Sequence, residues 1–113
     1  MAAKDEGGQP DMTWDVKITV VKRLFLEDVG KLTKAGDWCP CARHVEGQEF
    51  LIDGASLEVP EGFCSWAWCD LNRYVVTLAR GGNFIGSRPG TTMVSCTDGY
   101  RPVIFMLERV ERD

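Results

Sequence analysis

The chain predicts an α+β domain: a small antiparallel sheet of three to four strands with one main helix packed on it. Three patterns predict it. Residues 13–21 alternate between apolar and polar side chains. Residues 62–80 carry an apolar stripe at helical spacing and end on Gly81-Gly82. The apolar run from Val103 to Leu107 follows an extended segment across Asp98-Gly99.

Each element has its own warrant. In the first segment Trp14, Val16, Ile18 and Val20 fall on one face and Asp15, Lys17 and Thr19 on the other, the period of a half-buried strand. In residues 24–34, Leu26, Val29 and Leu32 mark a short helix or turn interrupted by Gly30. Residues 36–46 read as loop, with Cys39, Pro40 and Cys41 inside it. Residues 48–53 form a short strand ended by Asp53-Gly54. Projection of residues 62–80 at 100° per residue puts Cys64, Ala67, Trp68, Leu71, Val75 and Leu78 on the core stripe. The opposite face takes Trp66, Cys69, Asp70, Arg73, Thr77 and Arg80. Asp70 and Arg73 are spaced to pair, and Gly81-Gly82 supplies the helix stop. Residues 83–92 read as a long loop. Residues 93–97 and 102–110 then form a hairpin around Asp98-Gly99. The run 103–107 is apolar on both faces, which suits a central strand covered on both sides, or one covered by a helix on one side and a second subunit on the other.

With 113 residues the chain supports one domain, assigned to 13–113, preceded by a polar tail at 1–12 that is expected to be disordered. A formal charge of −4 argues against an obligatory nucleic-acid partner, because phosphate recognition needs a basic face. No apolar run reaches the length of about 20 residues that crosses a bilayer. The polar tail has no apolar core of a secretory signal, so the expected location is cytoplasmic and reducing. In that setting an odd count of five cysteines points to free thiols, metal ligands or reactive groups rather than a disulfide framework.

The chemistry-bearing residues concentrate in three places. Cys41-x-x-His44 has the spacing of two ligands on one ion, and Cys64 and Cys96 complete a four-donor set for zinc or iron. Cys64 also opens the main helix, where free N–H groups and the dipole favour an anion. That makes it the candidate catalytic thiol, with His44 as its base. The competing reading is that these thiols are core filler, since free cysteine is among the most buried residue types. Phe63, Trp66 and Trp68 lie near Phe84 and can wall a pocket for a flat or apolar ligand. Phe63 and Trp68 also suit the core, whereas Trp66 stands on the polar face of the helix. Asp98 sits in a turn, where its side chain serves backbone geometry.

Taken together, Val16-Lys17-Ile18-Thr19-Val20, Cys41-x-x-His44-x-x-Gly47-Gln48-Glu49-Phe50, Pro60-Glu61-Gly62-Phe63-Cys64-Ser65-Trp66-Ala67-Trp68, Gly81-Gly82-Asn83-Phe84, and Cys96-Thr97-Asp98-Gly99 followed by Arg101-Pro102-Val103-Ile104-Phe105 form one pattern. The chain resembles an uncharacterised family of short bacterial and archaeal proteins that carries only a numbered family name. The resemblance spans residues 13–111. It implies a shared set of Cys41, Cys64 and Cys96, with Cys39 and Cys69 as extras, and it implies no reaction.

These readings converge on a working surface made from the loop 39–44, the helix start 63–66 and the turn 96–98. The leading expectation is a small cytoplasmic ligand-binding or accessory protein, a homo-oligomer or a small subunit of a metabolic enzyme system. Its ligand-binding residues are Phe63, Cys64, Trp66, Phe84 and Asp98. The alternatives are a zinc or iron protein using Cys41, His44, Cys64 and Cys96, and a thiol enzyme centred on Cys64.

Overall fold

The computed structural model describes residues 13–34, 36 and 39–112, so the tail assigned to 1–12 lies outside the described residues. Four strands and two helices follow in the order β1 (Asp15–Arg23), α1 (Glu27–Leu32), β2 (Glu49–Ile52), α2 (Ser65–Ala79), β3 (Thr91–Ser95) and β4 (Val103–Val110). The strands make one antiparallel sheet in the order β2-β1-β4-β3. The expected α+β architecture is therefore the one observed.

The alternation in β1 decides how the sheet is buried. Val16, Ile18 and Val20 are buried and face α2. Val103, Phe105 and Leu107 of β4 share that face, as does Ile52 of β2. Helix α2 closes the core with Ala67, Leu71, Val75, Leu78 and Ala79. The predicted core stripe thus holds, with Cys64 and Trp68 only partly buried at its amino end. On the outer face Lys17 reaches both Glu49 and Glu108, at 3.8 and 3.6 Å. Such half-exposed pairs contribute about 0–1 kcal/mol. Leu51 and Met93 also stand exposed on that face.

Two helix ends carry different chemistry. At the carboxyl end Gly81 adopts φ of +91°, its N–H donates to the Leu78 carbonyl, and Gly82 N–H donates to Thr77. This pair of bonds is the Schellman arrangement that a glycine pair makes cheap. At the amino end the N-cap is Cys64, whose side chain caps no backbone N–H, and no acidic residue stands in the first turn. The first-turn N–H groups of α2 therefore lack both an intrahelical acceptor and a capping side chain.

Asp53-Gly54 does more than end β2. The Gly54 N–H donates to Asp15 Oδ1 at 2.8 Å, and its carbonyl accepts Arg80 Nη1 at 2.7 Å. A Cβ at this position would run into the main-chain carbonyl of Trp14. Backbone cannot swing aside as a flexible side chain does. Gly54→Ala is therefore expected to cost about 1–3 kcal/mol, read as a lower urea midpoint. An unchanged midpoint would mean that the Trp14 segment yields freely.

Two expectations need correction. Asp70 and Arg73 do not pair: Asp70 accepts hydrogen bonds from Thr97, and the Arg73 guanidinium lies over the Tyr74 ring at 5.0 Å. The β3–β4 connection is a longer loop than the Asp98-Gly99 dipeptide suggests, running from Cys96 to Pro102. Its path is fixed by Asp98, whose Oδ1 accepts the N–H groups of Tyr100 and Arg101 at 2.9 and 3.2 Å.

Candidate functional site

Three chain-distant segments meet at the amino end of α2. The loop after α1 brings Cys41, Ala42 and Arg43. The helix start brings Cys64, Trp66 and Ala67. The β3–β4 loop brings Cys96, Asp98 and Arg101. Together they line a cleft of about 280 Å³. The loops fall here because strand ends and helix starts share one edge of an α+β layer, and each loop is tied down separately.

Arg23, at the end of β1, secures the first loop. Its Nε and backbone N–H donate to the Glu46 carboxylate at 2.9 and 3.0 Å, and its Nη1 donates to the Cys41 carbonyl at 2.9 Å. The bonds from the Arg23 main chain and guanidinium hold the Glu46 carboxyl below the usual carboxylate range.

His44 joins this loop to the helix. It is 1% exposed. Its ring lies 4.9 Å from Phe63 and 5.6 Å from both Phe50 and Phe105. The Cys64 backbone N–H donates to His44 Nε2 at 3.3 Å. Nε2 must then be unprotonated, so the proton sits on Nδ1, which points at Gln48 Oε1 at 3.4 Å. Burial depresses the His44 pKa, the Gln48 bond opposes the shift, and the Arg43 charge adds to it.

The third wall is set by two carboxylates. Asp70 accepts the Thr97 N–H at 2.8 Å and the Thr97 hydroxyl at 3.1 Å. The same hydroxyl oxygen accepts the Trp66 indole N–H at 2.8 Å. Trp66 is thus held in orientation although it is 60% exposed. Asp98 accepts Arg101 Nε at 3.1 Å through Oδ2, opposite the oxygen used by the turn. Burial alone would raise the Asp98 pKa, but the Tyr100 and Arg101 amides and the Arg101 guanidinium outweigh it and hold the carboxyl low. Asp98 therefore accepts three hydrogen bonds from its own loop and offsets Arg101. Among the described residues Arg43 has no ion pair or hydrogen bond, which leaves its charge uncompensated in the cleft.

No protein-family model, no curated protein and no solved structure matches this chain.

Of the residues picked out by sequence, Cys41, Cys64, Cys96, Trp66 and Asp98 line the cleft together. Phe63 and Phe84 do not. Phe63 is buried at 4% exposure within the aromatic cluster around His44, because the residue before the N-cap points under the helix. Phe84 packs on Tyr74, with centroids 5.3 Å apart, on another part of α2. The four-donor metal set is not assembled either. Both His44 ring nitrogens face partners inside the chain, and among the described residues no group of three or more His, Cys, Asp or Glu side chains is placed to hold a metal ion. Nor does His44 serve Cys64 as a base, since it binds the Cys64 amide rather than the thiol. Cys39 and Cys69 are exposed and stand apart from the cleft lining.

Sequence reasoning missed Arg43 and Arg101. One signal was available: Asp98 and Arg101 share the i, i+3 spacing that was read as a pair for Asp70 and Arg73.

Proposed function

We propose that this protein binds a small anionic molecule in the cleft at the amino end of α2. The observation that carries the reading is the meeting of Arg43, Arg101 and the uncapped first turn of α2 at one concavity. Free helix N–H groups and an unpaired guanidinium attract negative charge by the same sign of field. The volume of about 280 Å³ lies just below the range of about 300–1,000 Å³ typical of drug-sized ligand sites, so the ligand is small. Support also comes from the resemblance, because Cys41, Cys64 and Cys96 are the cysteines it implies and also the ones in the cleft. On this reading the chain belongs to that numbered family, and the thiols form a compact apolar lining.

The wider setting is part of the same proposal. Free thiols and the lack, among the described residues, of a helix long and apolar enough to cross a membrane favour a cytoplasmic accessory protein. Its outer sheet face, with Leu51 and Met93 exposed, favours a homo-oligomer or a small subunit of a larger enzyme system. Light scattering that finds only monomer at working concentration removes the homo-oligomer.

The test is calorimetry and thermal melting with acetate, benzoate and inorganic phosphate, against methylamine as a cation of similar size. Phosphate also stabilises proteins non-specifically through exclusion from their surface. The decisive comparison is therefore Arg43→Ala. At least one anion is expected to bind the parent chain and to lose about tenfold in affinity on Arg43→Ala, the size of a charge-assisted hydrogen bond. Failure of every anion to bind, or binding that survives Arg43→Ala unchanged, contradicts the reading. Cys64→Ser is expected to keep the anion affinity within about threefold, a difference under 1 kcal/mol. A thiol reaction would not survive that change.

A further inference from the structure

We infer that the anion taken by this cleft is planar, an aromatic carboxylate rather than an aliphatic one; the inference rests on the anion-binding reading above. Two residues with flat side chains line the cleft, Trp66 and Arg101. Each is fixed by a dedicated acceptor. The indole N–H is held by Thr97 Oγ1 at 2.8 Å, and Thr97 is itself held by Asp70 through both hydroxyl and amide. The guanidinium Nε is held by Asp98 Oδ2 at 3.1 Å.

Exposed tryptophans usually keep their rotamer freedom. This one is 60% exposed and still tethered across to the β3–β4 loop. A side chain ordered in advance loses less entropy when a ligand arrives, which is how preorganisation raises affinity. A flat wall ordered in advance favours a flat ligand, because offset stacking needs two planes. Ala42 and Ala67 add only small side chains to the same lining. The anionic end of such a ligand then has Arg43 and the first turn of α2 within the same cleft. The volume of about 280 Å³ admits a single ring with its carboxylate better than a fused or chain-extended acid.

Thr97 is on this account a positioning residue, acting through Trp66. Thr97→Val removes the acceptor from the indole N–H and leaves the shape nearly unchanged, whereas Thr97→Ser keeps the oxygen.

The experiment compares benzoate, cyclohexanecarboxylate and benzamide by titration calorimetry on the full chain. Benzoate and cyclohexanecarboxylate carry the same charge on rings of the same size, one flat and one puckered. Benzamide keeps the flat ring and loses the charge. Benzoate is expected to bind about five- to tenfold tighter than either, the range of one aromatic contact. Trp66→Leu and Thr97→Val are both expected to erase the preference for benzoate over cyclohexanecarboxylate, and Thr97→Ser to restore it. Equal affinity for the flat and puckered acids overturns the planar ligand while leaving anion binding in place. A preference that survives Trp66→Leu overturns the role of the indole. Failure of both acids to bind overturns this inference, and overturns the anion-binding reading as well where acetate and inorganic phosphate also fail to bind.

Discussion

Phe105→Ala is expected to remove about 3–5 kcal/mol of stability, the usual cost of emptying a buried phenylalanine site. Phe105 is fully buried on the central strand β4. Its ring meets Phe63 at 5.5 Å and His44 edge-on at 5.6 Å. The strand behind it is paired on both sides, so the backbone cannot collapse into the space. A domain of this size has about 5–15 kcal/mol in total. The variant is thus expected to lose a large share of its stability, with a urea midpoint reduced by about a fifth or more. Phe105→Leu fills most of the volume and is expected to cost about 1–1.5 kcal/mol. Equal costs for the two variants would show that refilled apolar volume counts for little there and that the ring contacts with Phe63 and His44 carry the loss.

The second large effect is a pH dependence set by His44. Burial depresses its pKa below the ordinary histidine value of 6.5. A base with a depressed folded pKa binds its proton more readily when unfolded. Its contribution is therefore complete above pH 6.5 and is lost as pH falls below 6.5 toward and through the folded value. The slope of one proton is at most about 1.4 kcal/mol per pH unit. Geometry gives the same sign. A protonated Nε2 would face the Cys64 N–H donor to donor, at the joint between the loop and the helix. Three carboxyls held low, those of Glu46, Asp53 and Asp98, act in another window. Their contribution is present above the ordinary carboxylate value and is lost as pH falls below about 4. Since the chain has one histidine, the loss between pH 6.5 and about 5 isolates His44. In His44→Phe this slope is expected to vanish, at a cost of about 1–3 kcal/mol at pH 8 for the orphaned Cys64 amide. A slope that persists in His44→Phe places the titration elsewhere.

These effects also mark how far the sequence could be read. The period in Val16, Ile18 and Val20 and the stripe through Ala67, Leu71, Val75 and Leu78 need only local geometry, and both appear as buried faces. Trp66 was legible for the same reason, as an aromatic at a polar position of a regular helix. Long-range partners were not legible. Asp70 has a neighbour at i+3 that suits it, yet it is used by Thr97 from another element. His44 looked like a ligand because its one-dimensional neighbours are cysteines. Its three-dimensional neighbours are three phenylalanines drawn from β2, β4 and the α2 entry, which turns a candidate ligand into a buried strut. Phe84 follows the helix stop closely in sequence, but the Schellman turn sends it toward Tyr74 and away from the amino end. The thiols of Cys41, Cys64 and Cys96 reach one cleft because three loops share an edge of the sheet, a property of topology that spacing does not encode.

The central claim is that the working surface lies where the loop 41–43, the start of α2 and the β3–β4 loop meet. Mapping benzoate onto the backbone amide spectrum of the labelled protein tests it directly. The account predicts shifts that saturate together at residues 41–43, 64–67 and 96–101, and that disappear in Arg43→Ala. Saturating shifts confined to a second concavity, beside Arg88, Thr91 and Met93, or no saturating shifts anywhere, would contradict it.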